Sequence, residues 1–175
     1  MLIAAQKKKE NIAEYLLYMW QIEDLIRAYK LNITAINNQL IEKFDYPDST
    51  KKEIYNWYEQ LIEMMYSENV VESGHLQINN NVLIQLADLH LHLLNDSNQN
   101  AYKTVYYQTL PIVVELREKA GENKKGEIET CFSALYGVLL LKLQQKEISK
   151  DTQHAVKQIS KFIAVLSDKY NSIEN

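Results

Sequence analysis

The chain has 175 residues with a formal net charge of −4, 46% hydrophobic and 24% charged residues, 4 glycines, 2 prolines and one cysteine. That size and balance predict one domain with a real core and exclude a disordered chain. The lone Cys131 excludes an internal disulfide and a cysteine-based zinc cage, and few glycines and prolines argue against a turn-rich β fold.

The first helix is predicted from near Lys7 to Tyr29. Ile12, Tyr15, Tyr18, Met19, Ile22, Leu25, Ile26 and Tyr29 fill one wide face, and Leu16, Leu17 and Trp20 extend it. A helix apolar almost all round is buried on several sides, so this one is expected at the centre. A second, shorter helix covers about Ile33 to Phe44, with Asn32 as its N-cap, and Asp45-Tyr46-Pro47-Asp48 ends it. The third runs from about Thr50 to Asn69, opened by Thr50-x-x-Glu53 or by Ser49.

The fourth helix is predicted over Asn81 to Asn95, with a start as early as Ser73 also in phase. The fifth spans about Gln99 to Ala120, with Pro111 inside it and Gly121 just past its end. The sixth, about Gly126 to Gln145, has little polar surface and is the second central helix. Its Ala134 and Gly137 are expected to admit a close neighbour. The seventh runs from Lys150 to Tyr170, capped by Ser149, with a narrow stripe suited to the periphery. The fold expected is all-α: an irregular bundle of roughly seven helices, with the first and sixth central.

Charge and length set further expectations. Only Lys7-Lys8-Lys9 approaches a basic patch, so no nucleic-acid partner is expected. No run nears a membrane span and no signal peptide is evident, so a cytoplasmic setting is expected. The strong catalytic and cofactor motifs are missing, so no cofactor, no metal and no catalytic residue are assigned. Glu72-x-x-His75 holds a glycine, has no second copy, and reads as a loop coincidence.

Four weaker signals remain. Asp88 and His92 are four residues apart on the polar face of the fourth helix, which suits a surface ion pair. His90 falls in the apolar arc of the same helix. A buried imidazole needs a partner, such as a tyrosine hydroxyl or a backbone carbonyl, and a ligand or general-base role is the alternative. Glu14, Glu23, Asp24 and Arg27 lie in the nearly all-apolar first helix, where buried charge must be paired. A structural ion pair is one reading. A polar pocket formed by Glu14, Tyr18, Glu23, Arg27 and His90 is the other. Lys142 lies among apolar residues near a helix end and is expected to reach out to solvent.

The segment Asn11-Ile12-Ala13-Glu14-Tyr15-Leu16-Leu17-Tyr18-Met19-Trp20-Gln21-Ile22-Glu23-Asp24-Leu25-Ile26-Arg27-Ala28 resembles an uncharacterised domain-of-unknown-function family of Bacteroides-type bacteria. The stretch from Leu86 to Leu94, centred on Asp88-Leu89-His90-Leu91, is similar to it as well. The resemblance implies a bacterial, mainly helical, stand-alone protein and carries no activity and no site residues.

Two functions follow from this reading. The first is a non-enzymatic interaction or adaptor protein that binds a protein partner or itself, supported by 12 tyrosines and the lack of a chemistry motif. The second is a small-ligand-binding or enzymatic bundle built on the polar pocket.

Overall fold

A computed structural model describes residues 2–121 and 125–174. Among them are eight α-helices and a short 3-10 turn, and no strand. The helices are α1 (Leu2–Glu10), α2 (Ile12–Ala28), α3 (Ile33–Gln39), α4 (Asp48–Ser67), α5 (Gln77–Asn95), α6 (Asn100–Lys119), α7 (Glu127–Leu143) and α8 (Lys150–Glu174). The 3-10 turn covers Ile41–Lys43. The all-α class follows from the apolar residues recurring every three to four positions, which only helix packing can bury.

The boundaries depart from the sequence reading where a side chain takes over backbone hydrogen bonds. The predicted first helix is two helices, because the Asn11 side chain accepts the Ala13 N–H at 3.0 Å and opens α2 as a cap. The predicted second helix is α3 followed by the 3-10 turn, and its Asn32 cap accepts the Ala35 N–H at 3.0 Å. Pro47 immediately precedes α4, so Ser49 and Thr50 lie inside the helix instead of capping it. Pro111 is carried within α6, and Gly121 follows its end with φ +61°, where a residue without Cβ is favoured. Ser149 caps α8, its Oγ accepting the Thr152 N–H at 3.2 Å.

The chain divides into two compact units. The first holds the residues up to Glu10 together with Glu14–Asn81; the second holds Asn11–Ala13 and the chain from Val82 onward. The first unit buries Met19, Trp20, Ile26, Ile36, Ile41, Tyr58, Leu61, Met65 and Leu76, with α3 against α4. In the second, α6, α7 and α8 pack on one another. Tyr102, Val113, Cys131, Phe132, Ile159, Phe162 and Leu166 form its core. Fully burying such side chains contributes roughly 1.5–3 kcal/mol each.

Gly137 does not admit a close neighbour. A Cβ added at Gly137 would meet nothing within 4 Å. Ala134 and Gly137 instead line a cavity of about 570 Å³ among α6, α7 and α8. Lys142 is exposed in the last turn of α7, as its position near the helix end predicts.

Candidate functional site

The first unit contains a polar cluster centred on a buried carboxylate. Glu23 on α2 is fully buried. Its Oε2 accepts from His75 Nδ1 at 2.6 Å. Its Oε1 accepts from the Leu76 N–H at 2.9 Å and from Asn79 Nδ2 at 2.6 Å. A carboxylate can only accept, so His75 Nδ1 carries the proton. The His75 ring stacks on Trp20 with centroids 4.1 Å apart and planes 9° apart.

One turn further along α2, Arg27 donates to Asp24 at 2.9 Å and to the carbonyls of Val70 and Gly74 at 3.0 and 2.6 Å. Together Glu23 and Arg27 hold the connection from α4 to α5. That connection turns at Asn69 (φ +57°) and Gly74 (φ +89°). Glu68 adds a further grip, accepting the Gln77 N–H at 2.6 Å. Carboxylates from outside the helix thus satisfy the first donors of α5, where the helix field favours negative charge. This arrangement fixes the start of α5 at Gln77, later than the Ser73 that periodicity allows.

The other proposed pocket residues lie in different settings. Glu14 is exposed and pairs with Lys7 at 2.8 Å. Tyr18 is half-buried, and burial foremost, then the nearby Tyr46, pushes its hydroxyl pKa up. Among the described residues Asp88 and His92 are both exposed and form no ion pair, and no group of three or more metal-ligating side chains is present. His75, dismissed as part of Glu72-x-x-His75, is the partner of Glu23. No local pattern signals this pair, since the two lie 52 residues apart.

His90 belongs to the second unit, where burial and hydrogen bonding match the expected core histidine. Its Nδ1 lies 2.6 Å from the Tyr102 hydroxyl, and its ring packs edge-on to Tyr106 and Phe162. Its Nε2 lies 3.6 Å from Glu127 Oε2. Burial lowers the His90 pKa, opposed in part by the charge of Glu127, so the ring is neutral at pH 7. With an acceptor facing Nε2, the proton belongs there, and Nδ1 accepts from the Tyr102 O–H. Tyr106 donates its O–H to Glu127 Oε2 at 2.8 Å. Burial foremost, then that bond, holds the Tyr106 hydroxyl protonated far above its ordinary range.

This network lines part of a cleft of about 370 Å³ bounded by α5, Tyr106 of α6 and the first turn of α7. Leu83, Ile84, Ala87, Leu91, Leu94 and Ile128 supply its apolar walls. His90, Tyr106, Glu127 and Glu129 are its polar side chains. His90 and Tyr106 are almost wholly buried, whereas the Glu127 side chain keeps 30% of its surface open. Glu127 and Glu129 are therefore the polar groups a bound molecule can reach, and Glu129 is already paired with Lys125 at 3.0 Å. The sequence reading passed over Glu127. Its only local signal is an acidic pair, Glu127 and Glu129, in the first turn of an otherwise apolar helix.

Cys131 is fully buried in the same unit. Burial foremost, then the charge of Glu127, pushes its thiol up to about 12. It is a thiol at neutral pH and no nucleophile.

A family model described as a domain of unknown function, DUF4924, matches residues 1–175. The chain belongs to this family. No curated protein and no solved structure matches it. None of the helices described is long and apolar enough to cross a membrane.

Proposed function

We propose that this member of the DUF4924 family is a non-enzymatic binding protein whose second unit takes a small apolar ligand in the cleft between α5, α6 and α7. The observation that carries the proposal is the cleft itself. At about 370 Å³ it has the size of a ligand site, and it pairs apolar walls with a few polar groups. Among the described residues no serine, cysteine or lysine lines it.

The test is calorimetric titration with octanol of the intact protein and of Ala87→Phe. Ala87 is a half-buried wall residue on a helix that accepts phenylalanine, so the variant fills the cleft without breaking α5. Saturable binding that Ala87→Phe abolishes is expected. Equal binding by both proteins, or by neither, would refute the proposal.

A second reading, contact with a protein partner or a second copy of the chain, rests on a different observation. Ile84 and Leu91 are 54% and 57% exposed on α5. On this reading light scattering gives a mass above 20.5 kDa that Leu91→Lys reduces to the monomer value. A cytoplasmic, bacterial setting is part of the same proposal. It rests on the resemblance to a Bacteroides-type family, with a lone buried cysteine in keeping with it.

A further inference from the structure

We infer that the ligand of this cleft carries a protonated amine, or at the least a hydrogen-bond-donating head, on an apolar body, and that Glu127 receives that head. The inference rests on reading the cleft as a ligand site and concerns the chemical class of what enters it.

The charge of the lining points this way. Among the described residues two carboxylates, Glu127 and Glu129, line the cleft, and no lysine or arginine does. The one lining group that could become cationic is His90, and its burial keeps it neutral. Among the described residues the cations beside these carboxylates approach from outside the lining. Arg117 Nη1 comes only to 3.8 Å of Glu127 Oε1, and Lys125 Nζ is engaged by Glu129 at 3.0 Å. The Arg117 Nε–H is turned to the Lys125 carbonyl at 3.0 Å. Among the described residues, then, Glu127 Oε1 has no donor within hydrogen-bond distance, and Oε2 has only the Tyr106 O–H.

The buried neighbours of Glu127 turn hydrogens toward Oε2 and offer no acceptor of their own to a bound head, which leaves Oε1 as the acceptor. Tyr106 is held protonated and already points its hydrogen at the carboxylate. His90 turns its Nε2 hydrogen toward the same oxygen from 3.6 Å. An anionic head would meet two carboxylates with no lining cation to receive it. An ammonium or hydroxyl head would complete the open acceptor sites, and an ammonium would add a charge-assisted bond.

The experiment compares octylamine, octanol and octanoate, which share an apolar body and differ in the head. Calorimetric titration at pH 7 is run on the intact protein, on Glu127→Gln and on Ala87→Phe. Octylamine is expected to bind at least roughly tenfold more tightly than octanoate, the worth of one charge-assisted bond, with octanol between them. In Glu127→Gln the advantage of the amine shrinks towards unity while octanol binding persists. Ala87→Phe abolishes binding of all three.

Several results overturn the inference. If all three bind and octanoate equals or exceeds octylamine, the head assignment is wrong and the cleft reading stands. An amine preference unchanged in Glu127→Gln places the head elsewhere. Amine binding that survives Ala87→Phe is attraction to an acidic surface and no site. If none of the three binds, the cleft reading itself falls.

Discussion

The two units each hold a carboxylate–histidine arrangement, and the two are finished differently. In the first, every contact of the Glu23 carboxylate is with the protein's own donors: His75, the Leu76 N–H and Asn79. In the second, Glu127 has one internal donor, a histidine at 3.6 Å, an arginine at 3.8 Å, and a side chain partly open to an apolar cleft. A saturated carboxylate at the start of a helix is a structural device. A carboxylate with spare acceptor sites in the lining of an apolar cavity is a recognition device. The distinction depends on the count of donors and on exposure, and residue type alone would miss it.

Perturbing the Glu23 cluster should have the largest effect. Glu23→Ala strands three buried donors and frees the start of α5. A loss of roughly 3–5 kcal/mol in urea unfolding is expected, the range for removing one partner of a buried charged network. A loss below about 1 kcal/mol would show that the cluster is not structural.

Arg27→Lys comes next. A lysine cannot keep the planar fork that reaches Asp24 and the two loop carbonyls at once. About 1–2 kcal/mol should be lost, with faster amide exchange confined to residues 68–76. Unchanged exchange there would mean that Arg27 does not hold the loop.

Asn11→Ala removes the cap that separates α1 from α2 and should cost about 1 kcal/mol. If stability rises instead, one continuous helix is the better conformation, as periodicity alone suggests.

The smallest effect is a pH slope. Burial foremost holds the folded-state pKa of His90 below its ordinary 6.5. The unfolded chain therefore takes up a proton as pH falls through 6.5 while the folded chain resists it. The stabilisation is fully present above that pH and declines below it. His90→Gln should lack this component, so its stability should fall less between pH 6.5 and 5.5 than that of the unaltered protein. Parallel curves would show that His90 is not held neutral.

Much of the fold could be read from the chain. The apolar spacing located every helix beyond Asn11, and the caps at Asn32 and Ser149 occur where side-chain chemistry predicts them. The break at Asn11 was hidden because asparagine inside a polar stretch reads equally as a helix surface or a cap. His90 was legible as a buried imidazole bonded to a tyrosine, since its place in the apolar arc demanded a partner. The partners of Glu23 were not legible. They come from the connection before α5 and its first turn, more than 50 positions along the chain, and depend on two left-handed turns in that connection. Glu127 was overlooked for the opposite reason. An acidic first turn is ordinary at a helix start, and only the cavity beside it gives the residue a function.

The most direct test is an amide-resolved NMR titration of the intact protein and of Ala87→Phe with octylamine. Shifts should cluster at Leu83–Leu94 and Gly126–Glu129 in the intact protein, spare Val70–Asn79, and vanish in Ala87→Phe. Shifts centred on the Glu23 cluster, or the same shifts in both proteins, would contradict the assignment of structure to one unit and recognition to the other.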